Sequence, residues 1–513
     1  MEYSWSIIFL SLCFSAALTI FISHTKTKKN KKTKLSLPPG PPRIPILGHI
    51  YLLPKFLTNP EHPLRDLFKK YGPIITFRIG SSTSIFIASH SLAHEALIQN
   101  GAAFNHRPGP VTPSCIFDNI NLDCGSSTGN RWRFLRRNLT TVVLSPSRYK
   151  SFGGARRWVL QVFNDSLLKY HVESSEPVPV ADRFRYAMFC LLLFLCFGEK
   201  LDEKIIKKIQ ETETAKLAKF NALGVFSLFP RLGKFIFRKN WEEMVNLRRI
   251  QLSVLLPLIK ANRQRREKVK QENSDEKSFI SYINSLFDLE VTEEGGRKLV
   301  DQEIASLISE VLDAGSDTTT SLFEWIMANL VKNQKIQEKL YSEIHGVVGS
   351  TEEIKEDDLE KMPYLKAVVL EGLRLHPPTH FVLPHTVKED VVLNDYLIPK
   401  NALVNFMVGE MGRDPKVWED PMEFKPERFL GDEGVKVDIT GSKEIKMMPF
   451  SAGRRICPGL GLGTLHMEYF LANFVRDFKW MCVKGSDVDM SEKMEFTVMM
   501  ATPLQAYVFP RPN

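Results

Sequence analysis

No Cys-x-x-Cys pair occurs in the 513 residues, and the seven cysteines stand at positions 13, 115, 124, 190, 196, 457 and 482. An odd count at irregular spacing argues against both a disulfide framework and a zinc site. It fits a reducing compartment. No internal repeat stands out, which sets aside solenoids and propellers. Excess positive charge is also scarce outside one short run. The total is +9, but Lys26, Lys28, Lys29, Lys31, Lys32 and Lys34 supply six positive charges and Glu2 one negative, so residues 35–513 carry +4. That balance points to no nucleic-acid partner.

Charge is missing altogether from Trp5–Ile22, a run of 18 residues. As a helix it would span roughly 27 Å, enough for the hydrocarbon core of a bilayer. A cleaved signal peptide carries positive charge before its apolar run and a small-residue cleavage site after it. Here Glu2 precedes the run and six lysines follow it. The asymmetry predicts a single N-terminal membrane anchor over residues 1–23, with everything after it on the cytosolic side. The sequons Asn138-Leu-Thr and Asn164-Asp-Ser then face away from the lumen. Residues 24–48 read as a basic stop signal and a proline-rich linker. Prolines 38, 39, 41, 42 and 45 make a stiff arm that orients the body, residues 49–513, against the membrane. Nothing in the pattern indicates an obligate oligomer.

The body reads as mainly helical. Ile74–Ser89 is the exception, with β-branched and aromatic residues on both sides of a Gly-Ser turn, and predicts a hairpin. Asp301–Lys332 has a long helical pattern with an interruption expected at Asp313–Thr320. Gly315 weakens the helix there, and Thr318 can bond back to a carbonyl one turn earlier. A hydroxyl beside a carboxylate in a bent helix can hold water and pass protons; an ordinary helix cap has the same letters. Tyr364–Leu375 predicts a further helix with Glu371 and Arg374 on one face, stopped by His-Pro-Pro. Trp132 and Arg136, four apart, share a helix face, where an indole N–H and a guanidinium can hold a carboxylate. Phe220–Phe237, rich in Phe and Leu, suits a cavity cap, a membrane contact or plain core packing.

The most specific stretch is Pro449–Gly459, Pro-Phe-Ser-Ala-Gly-Arg-Arg-Ile-Cys-Pro-Gly. A lone cysteine near glycines is ordinarily a small buried hydrophobe. Here Gly453 and Gly459 permit backbone conformations that other residues resist. A helical pattern begins right after Gly459, so Cys457 precedes a helix N-terminus, where N–H groups favour a negative sulfur. Such a thiolate suits haem iron or another soft metal. Arg455, two residues away, could meet an acidic group such as a haem propionate.

Phe450, Gly453, Arg455, Cys457 and Gly459 together resemble the haem-binding loop of the cytochrome P450 family. Four further elements match that family in chain order: Trp132/Arg136, Ala314–Thr318, Glu371/Arg374 and Pro426–Phe429. The proline arm and the style of the cysteine loop look like plant microsomal members. The resemblance implies the P450 fold, mainly α with small β-sheets, behind a single transmembrane helix. It implies haem b with Cys457 as axial iron ligand and Phe450 in the same loop. Trp132, Arg136, Arg455 and His385 would meet the propionates. Thr318 and Asp317 would serve oxygen activation and its proton relay. Glu371, Arg374 and Arg428 would form a buried structural triad. Thr379–His385 and the turn at Phe496–Met500 would face the substrate.

The implied activity is a monooxygenase that inserts one atom of O2 into a hydrophobic small molecule, a plant specialised, lipid or hormone metabolite. Electrons would come from NADPH through a flavoprotein reductase at the endoplasmic reticulum membrane, docked on Arg133, Arg137, Lys443 and Lys446. Two other classes share the fold's logic: an O2-independent haem-thiolate isomerase or dehydratase, and a non-catalytic haem-binding protein. Asp317 and Thr318 speak for oxygen activation.

Overall fold

The computed structural model describes residues 35–52, 61–108, 125, 127–173, 176–219, 234–271, 281–291, 295–349, 353–431, 437–483 and 487–511. The span Trp5–Ile22, its lysines and residues 220–233 of the Phe/Leu-rich stretch lie outside them. Among the described residues no helix is long and apolar enough to cross a membrane.

Helices carry the architecture. Those that position the site are α1 (Gly129–Leu139), α2 (Gly153–Glu173), α3 (Val180–Phe197), α4 (Glu203–Ala218), α5 (Arg238–Gln271), α6 (Asp301–Lys332), α7 (Pro363–Leu375) and α8 (Leu460–Asp477). α3 is apolar nearly all round and correspondingly buried, as a helix inside a large core must be. It ends on Gly198 at φ +78°, a left-handed cap. α6 runs through the middle and packs against α3, α5, α7 and α8. The aromatic centre of this core joins four helices. Phe184 of α3 stacks on Phe323 of α6 at 3.9 Å between centroids, and Phe163 of α2 stacks on Phe474 of α8 at 4.1 Å.

The expected break in α6 does not occur. The helix is continuous over its 32 residues. Gly315 faces α3: a Cβ there would stand 3.0 Å from both methyls of Leu192. The glycine lets two helices approach closely, and the packing gained holds the helix through a residue that costs about 1 kcal/mol in isolation. Thr318 does bond back, Oγ1 to the Ala314 carbonyl at 2.6 Å.

The expected hairpin is strands β1 (Ile74–Ile79) and β2 (Ser82–Ile87), in antiparallel register from Ile74↔Ile87 to Ile79↔Ser82. Two more strands complete a sheet ordered β1-β2-β4-β3: β3 (His385–Thr386) and β4 (Leu403–Phe406). β4 runs parallel to β2 and antiparallel to β3. Ile85, Ile87, Val404 and Phe406 pack into one cluster with Leu97, Met448 and Ala452. The sheet thus backs the segment that leads into the cysteine loop. The proline arm is laid along β1 rather than standing free. The Thr76 N–H donates to the Pro39 carbonyl at 2.8 Å, and Thr76 Oγ1 to that of Pro38 at 2.8 Å. A short strand, β5 (Val498–Met500), closes against α6 near the C-terminus.

Candidate active site around Cys457

The cysteine loop is closed on itself through backbone and tied to its surroundings by arginine side chains. The Cys457 N–H donates to the Phe450 carbonyl at 2.8 Å, which closes the loop on itself. Inside it, Ser451 and Gly453 take positive φ, +60° and +70°. Gly453 is pressed against a π-helical turn, Glu95–Gln99: a Cβ on it would lie 2.0 Å from the Leu97 carbonyl oxygen. Only glycine meets both demands. Gly459 differs from expectation. Its φ is −84°, which any residue adopts, so its value here is not conformational freedom. Its N–H instead lies against the Cys457 sulfur.

Cys457 is half-buried, just ahead of α8. Burial pushes its thiol pKa up, while the Gly459 N–H and the Arg136 cation pull it back. Those opposing effects describe a sulfur removed from water but supplied with donors, the environment a metal-binding thiolate needs.

α1 and the loop bring the basic residues together. Arg136 Nη2 donates to the Ile456 carbonyl at 2.7 Å. Arg455 donates from Nε to Asn105 O and from Nη2 to Ser127 O, both at 2.8 Å, and its guanidinium lies 4.1 Å over the Trp132 ring. Trp132, Arg136 and Arg455 therefore form one assembly beside Cys457. His385, on β3, shares a small pocket with Phe104, Asn105, Ala452 and Arg455. Its Nδ1 lies 2.6 Å from the Phe104 carbonyl, which can only accept, so Nδ1 carries the hydrogen. Nε2 is buried without a hydrogen-bond partner among the described residues. Burial first, then the Arg107 and Arg455 cations, push the imidazolium down to about 3. His385 thus stands neutral, with a lone pair at Nε2. The cations of this set are Arg136 and Arg455.

On α6, Ala314 is exposed although Leu312, Ser316 and Asp317 around it are buried. Asp317 is held by two residues that carry no motif. Arg185 of α3 donates to Oδ1 at 3.3 Å, and Thr497 Oγ1 donates to Oδ2 at 2.6 Å. A third such residue, Arg107, donates to the carbonyls of Leu383 and Pro384 at 2.6 and 3.0 Å.

Below the loop, Glu371 accepts from Arg374 through both oxygens and from Arg428 Nε at 3.1 Å. The Lys425 N–H adds a further donor at 2.8 Å.

The donor set suits haem. It pairs a half-buried sulfur with N–H support, two guanidiniums and an indole beside it, a neighbouring imidazole nitrogen with no partner, and an exposed small residue on a buried helix.

Comparison with known proteins agrees. The model of the family described as cytochrome P450 matches residues 38–509. Cytochrome P450 89A9 of Arabidopsis thaliana is 44% identical over 99% of each chain. Salviol synthase of Salvia pomifera is 32% identical over 94% of each. The flavonoid 3'-monooxygenase of Arabidopsis thaliana is 30% identical over 98% of this chain and 97% of its own. The chain belongs to the cytochrome P450 family and is a monooxygenase of that family.

Proposed function

We propose that this monooxygenase binds haem b through Cys457 and inserts one oxygen atom of O2 into a hydrophobic plant metabolite at the endoplasmic reticulum membrane. Residues 1–23 anchor it, residues 24–48 link the anchor to the body, and residues 49–513 form the catalytic domain. Electrons arrive from NADPH through a flavoprotein reductase. The observation that carries the reading is the setting of Cys457, a half-buried sulfur in a loop closed by the Phe450 carbonyl. Bound haem supplies the oxygen activation, which a thiolate ligand favours by pushing electron density toward the iron.

The chain's own residues supply the rest. Trp132, Arg136 and Arg455 hold the propionates, with His385 close by. Thr318 holds its hydroxyl on the Ala314 carbonyl, from which it could turn to hydrogen-bond a water. Asp317, held by Arg185 and Thr497, passes protons toward Thr318. Glu371, Arg374 and Arg428 lock the segments beneath the loop. Relatives named for flavonoid and salviol chemistry support a specialised metabolite as substrate.

Replacing Cys457 by Ala or His tests the core of this reading. The wild-type protein is expected to show the red-shifted Soret band of a thiolate-ligated, reduced CO complex, and both variants are expected to lose it. Retention in either variant would refute ligation by Cys457. A microsomal screen of plant specialised metabolites, flavonoids among them, read by the spin-state shift of the Soret band and then by product identification, tests the substrate class.

A further inference from the structure

The turn that carries Thr497 is fixed from three directions. The Val498 N–H donates to the Pro378 carbonyl at 2.8 Å. The Val498 carbonyl accepts from Trp325 Nε1 at 2.8 Å and from Ser321 Oγ at 2.7 Å, both on α6. Thr497 itself is 1% exposed. Its hydroxyl therefore stands at a set place, 2.6 Å from Asp317 Oδ2, with Met499 Sδ on another side at 3.2 Å.

The two partners of Asp317 differ chemically. A guanidinium only donates, so Oδ1 beside Arg185 must remain an acceptor. Oδ2 is then the oxygen that carries a proton when the acid takes one up. A hydroxyl can serve it in both states. When Asp317 is ionised, Thr497 donates to Oδ2. When Asp317 is protonated, Oδ2–H donates to Oγ1, and the hydroxyl hydrogen turns to the Met499 sulfur, a weak acceptor.

We propose that Thr497 is a positioning residue for proton delivery, its hydroxyl holding Asp317 Oδ2 in one place through both protonation states with Met499 Sδ as the alternate acceptor. The inference rests on reading Asp317 as the relay acid. The one covalent change is the O–H bond at Asp317 Oδ2, formed when the acid takes a proton from water and broken when that proton is passed on toward Thr318; the Thr497 hydroxyl keeps its own proton and only reorients.

The test needs no organic substrate. The full-chain haem protein is reconstituted with a plant NADPH–cytochrome P450 reductase, and peroxide formed is measured against NADPH consumed. Peroxide takes two electrons and two protons per O2, whereas two waters take four of each, so failing proton delivery raises peroxide per NADPH. Thr497→Val is expected to lower the water-to-peroxide ratio about tenfold, a small part of the roughly 10²–10⁴ that a positioned proton donor contributes. It is also expected to change the solvent isotope effect on NADPH oxidation. Thr497→Ser should restore both values. Asp317→Asn should show the same defect, and Asp317→Asn/Thr497→Val should be no worse than Asp317→Asn alone.

A wild-type ratio in Thr497→Val alongside a defect in Asp317→Asn overturns the role of Thr497. Additive defects in the double variant overturn it too, because Thr497 would then act through another group. A wild-type ratio in Asp317→Asn instead removes the relay role of Asp317. If Thr497→Val fails to retain haem, Met499→Leu decides: it keeps the hydroxyl but removes the alternate acceptor. A partial shift toward peroxide supports the inference, and a wild-type ratio ends it.

Discussion

Glu371 and Arg374 meet fork to fork. Arg374 Nε donates to Oε2 and Nη2 to Oε1, both at 2.7 Å, with neither side chain exposed. The other three donors of Arg374 go to the carbonyls of Gly412, Pro421 and Glu423. All five N–H groups are thereby placed, and one buried carboxylate is shared by two guanidiniums. Glu371→Ala leaves both cations uncompensated, at a cost of about 3–5 kcal/mol. That is a large share of the roughly 5–15 kcal/mol that holds a domain folded. The expected result is a sharp loss of soluble protein and of haem per chain. A variant that folds and binds haem at wild-type stoichiometry would remove the triad from its structural role.

Two glycines of one loop should behave differently. Gly453 combines φ +70° with a backbone oxygen where a Cβ would go. Gly453→Ala therefore forces the loop off Leu97 and is expected to reduce haem occupancy and lower Tm by several degrees. The positive φ alone costs about 1–2 kcal/mol. Gly459→Ala would place its Cβ 3.8 Å from the Cys457 sulfur, an ordinary contact, and should retain haem. Haem-to-protein ratios for the pair measure the contrast. Equal occupancy in the two would contradict it.

Stability should fall with pH through one buried acid on α6. Glu324 is 1% exposed and accepts from the Leu504 N–H at 2.8 Å. Burial above all, with Asp182 and Asp317 nearby, raises its pKa from 4.5 to about 7, against the pull of the Leu504 N–H and Arg185. Below pH 4.5 both folded and unfolded chains hold the proton. Between 4.5 and 7 only the folded chain keeps it, so stability declines as pH rises and the loss is complete above 7. The full effect is on the order of 3 kcal/mol. Glu324→Gln keeps an oxygen for Leu504 and abolishes the titration. Its Tm should approach or exceed that of wild type between pH 5 and 8, and parallel Tm profiles would refute the assignment.

Reductase docking should follow charge. Arg133, Arg137 and Lys443 are exposed, and Lys446 is half-buried beside Glu444 at 3.4 Å. α1 lies against the cysteine loop through Arg136 and Ile456, so Arg133 and Arg137 sit near the sulfur side of the site. Reversing Arg137 and Lys443 to Glu is expected to raise the apparent KM for reductase. The effect should be largest at low salt and shrink as the screening length falls from about 30 Å at 0.01 M to about 8 Å at 0.15 M. An unchanged KM at low ionic strength would rule the two residues out.

Short-range spacing made much of the molecule readable from its letters. The hairpin, the extent of α6, the Glu371/Arg374 face and the cysteine loop each depend on residues a few positions apart. What escaped depends on distance along the chain. Arg185 and Thr497 reach Asp317 across 132 and 180 residues, and neither sits in a motif. Gly315 differs from its sequence expectation for a related reason. Its weakening effect is local, but the Leu192 methyls that explain it belong to α3. Gly459 does not use the freedom its missing side chain permits; the letters reveal a glycine but not its φ.

The bonds of Arg455 and Arg136 also say when the site can come into being. Arg455 reaches back 350 residues to Asn105 and 328 to Ser127, and Arg136 reaches forward 320 to Ile456. A ribosome-bound chain that stops short of Ile456 lacks the Arg136–Ile456 contact and has not yet reached Cys457. Contacts of such sequence separation form late, after local helices and hairpins. On the ligation proposed above, haem capture waits for the synthesis of Cys457, and the chain made before that point is apoprotein. A ligand that binds only the folded form stabilises it, so on that reading early haem supply should raise the yield of folded protein.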